Sequence, residues 1–121
     1  MKFTITTRDA GDVTIMDLKG KLVIGEESAS LRLQIRDLLL HDRKKLLLNF
    51  SQVSYIDRSG LGDLLSAFSI AQKHGGELKL LHLANQFRDL MQVTKLHLFF
   101  EIMDGEELAV KSFAHSDQMT K

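Results

Sequence analysis

Apolar and polar positions alternate at the start of the chain. Phe3-Thr-Ile-Thr-Thr7 and Val13-Thr-Ile-Met-Asp-Leu18 are rich in β-branched residues, and their period of two predicts half-buried strands. Arg8-Asp-Ala-Gly-Asp12 separates them, with Gly11 free to take the positive φ of a hairpin turn. The period then changes. Leu31, Ile35, Leu38 and Leu39 share one face of a helix predicted over Glu26–Leu40, with Glu26 and Glu27 where a helix start favours negative charge. Lys45-Leu-Leu-Leu-Asn-Phe50 is a short apolar run of the kind found in central strands covered on both faces. Leu61, Leu64, Leu65 and Phe68 stripe a second helix, which Gly75-Gly76 can end. Leu78–Leu83 reads as another buried strand, and Phe87, Leu90 and Met91 mark a third helix with Asn85 as its cap. Phe99–Met103 completes the strands, and Asp104-Gly-Glu-Glu107 has capping-box spacing for a last helix through Phe113.

The predicted order is β-β-α-β-α-β-α-β-α. It implies an α/β fold: a mixed, mainly parallel sheet with an N-terminal antiparallel hairpin and about four helices packed on it. The 121 residues fit one domain, placed over residues 1–115, with a polar, fraying tail at 116–121. A hydrophobic fraction of 44% against 26% charged is that of a globular chain with its own core. Sixteen basic and sixteen acidic side chains cancel, so no net field draws the chain to nucleic acid or to an anionic membrane. No apolar run is long enough to span a bilayer, and the alternating N-terminus is unlike a signal peptide. Cysteine is absent, which excludes disulfides, iron–sulfur clusters and cysteine-ligated zinc. These features fit a cytoplasmic protein.

Ligand and partner sites on such sheets lie beyond the carboxyl ends of the strands. Residues 54–62 fall on such a turn if Ile56 ends its strand. There Asp57 and Ser59 are both suited to capping the next helix, and two glycines in one turn are a local cost that a cap does not require. An enzymatic reading finds little support. The pattern G-x-S-x-G fails because Asp57 stands at the first glycine position, and His41, His74, His82, His97 and His115 show no motif spacing. No phosphate-binding glycine loop, metal set or cofactor motif is present.

Asp57-Arg-Ser-Gly-Leu-Gly62 resembles the motif Asp-Ser-Ser-Gly-Leu-Gly of the anti-sigma factor antagonists, the stand-alone members of the sulfate-transporter-and-anti-sigma-antagonist (STAS) domain family. Val13–Leu18, Gly20-Lys-Leu22, "LLLNFSQVSYID" and "GGELKLLHL" match the family's layout, so the resemblance covers roughly residues 3–113. It implies a bacterial regulator that is not an enzyme. Such a protein binds an anti-sigma factor that is also a serine kinase, is phosphorylated on the serine before the first motif glycine, here Ser59, and is restored by a serine phosphatase. Asp57, Arg58, Ser59, Gly60, Leu61 and Gly62 are then the partner-binding residues, with no catalytic residue, cofactor or metal. Arg58 departs from the family pattern, where many relatives carry a small residue. The alternative is an unphosphorylated STAS scaffold or transporter-associated subunit in which Ser59 only caps a helix. Oligomeric state is left open.

Overall fold

The structure, a computed structural model, describes residues 3–23 and 26–119. Its strands are β1 (Thr4–Ala10), β2 (Val13–Leu22), β3 (Lys45–Ile56), β4 (Glu77–Leu81) and β5 (Ile102–Met103). Its helices are α1 (Glu26–Leu40), α2 (Arg58–Lys73), α3 (Asn85–Val93) and α4 (Glu106–Met119), with a 3-10 turn at Leu96–Leu98. The strands lie side by side in chain order; β1 and β2 are antiparallel and every later pair is parallel. This is the predicted mixed sheet with its N-terminal hairpin. The hairpin turn is tighter than expected, since Ala10 pairs with Val13 and only Gly11 and Asp12 are left between them. Gly11 has φ of 64°.

The pleat sorts the strand side chains onto two faces. Met16, Leu18, Leu46, Leu48, Leu78 and Leu80 pack under α1, α2 and α3 in the main core. Val13, Ile15, Leu47 and Leu81 point the other way, onto Ala109 and Phe113 of α4. Past Asp17 and Asn49, α4 no longer covers that second face, and Lys19, Lys21, Gln52 and Tyr55 are exposed. Among the described residues no helix is long and apolar enough to cross a membrane.

Several ends differ from expectation. β3 continues to Ile56, although Phe50, Val53 and Ile56 are buried at a spacing of three rather than two. Two register shifts against β2 insert extra β3 residues there, and a bulge removes the alternation that would reveal a strand. The last strand shrinks from Phe99–Met103 to Ile102–Met103, because Phe99 caps the 3-10 turn with helical angles (φ −100°, ψ −22°) instead of extended ones. Asn85 is the first residue of α3 rather than its cap; Ala84 caps it without a side-chain bond. The capping box at Asp104 does not form either, because its carboxylate pairs with Arg88. α4 runs to Met119, beyond Phe113, so the backbone of the expected tail is helical there. Residues 120–121, and the side chains of residues 26–28 and 114–119, lie outside the description. The end of α2 is as expected: Gly75, at φ of 71°, and Gly76 donate to Gln72 and Ala71, the paired bonds of a Schellman motif.

Two contacts position the elements. Arg8 on β1 binds Asp17 of β2 through Nε (2.7 Å) and Glu106 of α4 through Nη2 (2.6 Å), tying the last helix to the hairpin. At the opposite end of the sheet, a Cβ built on Gly60 of α2 would lie 2.3 Å from the Leu22 carbonyl oxygen. Only a glycine lets the helix start so close to β2.

Each contact has a measurable consequence. Gly60→Ala should cost about 1–3 kcal/mol by overpacking. Gly62, with nothing within 4 Å of its Cβ position, should accept alanine with a gain of up to about 1 kcal/mol. Denaturant midpoints of the two variants give the comparison. Arg8 holds the Asp17 and Glu106 carboxyls below their ordinary range. Their contribution is therefore complete above the unfolded values, about 4, and is lost as pH falls through the lower folded values. Arg8→Ala should cost about 1 kcal/mol near neutrality, a value already discounted for solvent screening of half-exposed groups. The gap from the parent should close as acid titrates both carboxylates, as urea melts across pH would record.

Candidate functional site

The candidate site is built where β2 and β3 end together, with Leu22 beside Ile56. The Asp57 N–H donates to the Leu22 carbonyl at 3.3 Å, which holds the end of β3 against the end of β2. Asp57 is extended (φ −93°, ψ −179°), and its Oδ1 accepts the Gly60 N–H at 2.7 Å. Its own carbonyl accepts the Leu61 N–H at 3.0 Å. The cap of α2 is thus Asp57, not Ser59. Of the two caps the sequence allows, the aspartate is the one in place, because it stands where the extended strand turns into the helix.

The six motif residues divide by exposure. Arg58 and Ser59, the first two residues of α2, are exposed, and among the described residues neither side chain forms a hydrogen bond or ion pair. Gly60 is buried against Leu22, and Leu61 is 3% exposed within the main core. Gly62 is exposed again, one helical turn from Ser59, with open space around it. Gly60 therefore serves the chain's own packing, whereas Gly62 leaves the surface flat. Arg58, Ser59 and Gly62 are the members that reach solvent together.

This end of the sheet is also richer than the motif. Lys21 pairs with Tyr55 across β2 and β3, two positions before Asp57, and Tyr55 is 49% exposed. Neither stood out in the sequence as a surface residue. Their signal lay in the one-residue offsets of β3, which turn Gln52 and Tyr55 outward with Lys19 and Lys21.

The chemistry available is that of a hydroxyl presented on a helix N-terminus. The Arg58 and Ser59 N–H groups occupy the first turn, where a helix has donors without internal partners and a positive dipole end. A nucleophile would need a base within hydrogen-bond reach, and the nearby Asp57 carboxylate is committed to Gly60. His41 and His74 direct Nδ1 to the carbonyls four residues before them, and His97 directs Nδ1 to the Met91 carbonyl of α3. Among the described residues, no cluster of three His, Asp or Glu side chains could hold a metal ion.

Comparisons with known proteins agree with this architecture. The STAS domain family matches residues 4–109. The anti-sigma-B factor antagonist of Bacillus subtilis is 30% identical over 106 residues, covering 84% of this chain and 84% of that protein. A candidate anti-sigma factor antagonist from Thermotoga maritima superposes with a TM-score of 0.81 at 22% identity, over 89% of this chain and 92% of that one. The Bacillus cell fate determinant SpoIIAA, in its phosphorylated form, gives 0.69 at 20% identity over 93% and 99% of the two chains. At those identities the two structures speak for the fold alone. The family match, the 30% identical relative and the shared architecture agree: this chain belongs to the STAS domain family.

Proposed function

We propose that this protein is a cytoplasmic anti-sigma factor antagonist that binds an anti-sigma factor with serine kinase activity and is released by phosphorylation of Ser59. One observation carries the reading. Ser59 presents an exposed, unbonded hydroxyl on the first turn of α2, while Asp57 does the capping. A serine needed only as a cap would hold the bond that Asp57 holds. The 30% identity to the Bacillus subtilis antagonist supports the class of partner. SpoIIAA, whose fold this chain shares, has been solved in both unphosphorylated and phosphorylated forms.

The physics of the switch follows from the position. A phosphate brings about −1.5 to −2 charges. On the first turn of α2 it meets free N–H donors and the positive end of the dipole, so the fold tolerates it. A partner surface fitted to a neutral hydroxyl does not. The kinase, its ATP and its metal belong to the partner, and a serine phosphatase restores the hydroxyl. This chain is a substrate and a ligand. Arg58 stands beside the hydroxyl without a partner among the described residues, and we assign it a contact with an acidic group of the anti-sigma factor.

Incubation with the cognate kinase and ATP should add a single phosphate, seen by intact mass, and Ser59→Ala should abolish it. Because Asp57 is the cap, Ser59→Ala should leave stability within about 0.5 kcal/mol of the parent. Asp57→Ala should cost about 1 kcal/mol. Phosphate on another residue, or a large loss in Ser59→Ala alone, would return Ser59 to a structural role.

Arg58→Ala should weaken binding of the unphosphorylated chain to the anti-sigma factor, and the deficit should shrink as salt is raised. Dissociation constants measured at two ionic strengths give the answer. A deficit that does not change with salt would remove the acidic contact.

A further inference from the structure

Away from Ser59, the outer edge of the sheet is incomplete. In a parallel ladder the residues of one strand bond alternately to its two neighbours. Glu77 donates its N–H to Lys44 at 2.7 Å, on the β3 side. Leu78, Leu80 and His82 therefore face outward. Leu80 and His82 are satisfied there, donating to Glu101 at 2.9 Å and Met103 at 3.0 Å. Leu78 has no such partner among the described residues, because β5 pairs only with Leu80 and Leu81 and the chain before it turns away. One donor and one acceptor of β4 are left there without a main-chain partner among the described residues, in a residue that is 5% exposed.

The opening beside Leu78 is a groove of about 340 Å³. Its inner wall is aromatic: Phe68 meets Phe99 at 6.0 Å and Phe100 at 5.4 Å, both edge-on. Its rim is apolar and exposed, with Leu98 71% and Phe99 51% accessible. The opposite rim is acidic. Glu77 has no ion pair among the described residues, and Glu101 is shared with Lys79 at 3.1 Å.

We propose that this edge is a second docking site, which takes an extended peptide segment carrying an apolar side chain with a lysine or arginine next to it. The unpaired Leu78 main chain asks for a strand, the recognition mode in which an extended segment extends an exposed sheet edge. The pleat then dictates the side chains. A residue opposite Leu78 points to the face that carries Leu78 itself, toward Phe68, Phe99 and Phe100. The next residue points to the other face, beside the unpaired Glu77, where charge complementarity favours a cation. The site lies at the opposite edge from β1 and is independent of Ser59.

The probe is the capped peptide Ac-Lys-Val-Lys-Phe-Lys-Val-NH2, titrated into the full chain and followed by amide NMR. Binding should shift the Leu78 amide and slow its exchange about tenfold. Leu98→Ser, at an exposed side chain, should weaken the peptide about tenfold with an unchanged melt, and Phe99→Ser should weaken it as much while also lowering the melt through the lost Phe68 contact. Glu77→Gln should weaken it less, and only at low salt. A fully N-methylated peptide, which has no main-chain donors, should not bind. The proposal is overturned by no binding at about 1 mM peptide, by shifts that miss Leu78, or by equal binding of the N-methylated form. It is also overturned if the chain alone sediments as a dimer with Leu78 already protected, since a second copy would then be the occupant.

Discussion

The close approach of α2 to the end of β2 is the constraint on which the site depends. The Leu22 carbonyl accepts the Asp57 N–H at 3.3 Å and lies 2.3 Å from where a Cβ of residue 60 would be. Gly60 makes that approach possible, and Asp57 then closes the first turn onto the Gly60 N–H. With residues 60 and 61 held inward, helical geometry turns Arg58, Ser59 and Gly62 outward. Exposure of the hydroxyl follows from burial of its neighbours.

The second face of the sheet is divided. α4 seals Val13, Ile15, Leu47 and Leu81, and the Arg8 contacts to Asp17 and Glu106 mark where that cover stops. Beyond it, Lys19, Lys21, Gln52 and Tyr55 leave an open polar surface leading to the strand ends beside Asp57. A rigid, parallel framework thus carries its exposed chemistry at the carboxyl ends of β2 and β3, where sites on such sheets gather.

Much of this was legible in the sequence. The hairpin, the helix at Glu26–Leu40 and the glycine stop after α2 rest on local periodicity and turn chemistry, and they stand where those signals put them. The motif drew attention to Ser59 by its crowding of polar and small residues. What was not legible depends on partners distant in sequence. Asp57 prevails over Ser59 as cap because of where β3 ends, and Gly60 is needed because of Leu22, 38 positions earlier by subtraction. Lys21 and Tyr55 meet only through bulges that no alternation pattern reveals. Asp104 and Asn85 have cap-forming side chains, but an ion pair to Arg88 claims the first and the start of α3 at Asn85 itself bypasses the second.

Calorimetric titration of the anti-sigma factor kinase into the chain, before and after phosphorylation of Ser59, tests the central claim most directly. Badly matched interfacial charge costs several kcal/mol, so the phosphorylated form should bind at least about a hundredfold more weakly, with its melting transition preserved. Equal affinity for the two forms would contradict the account.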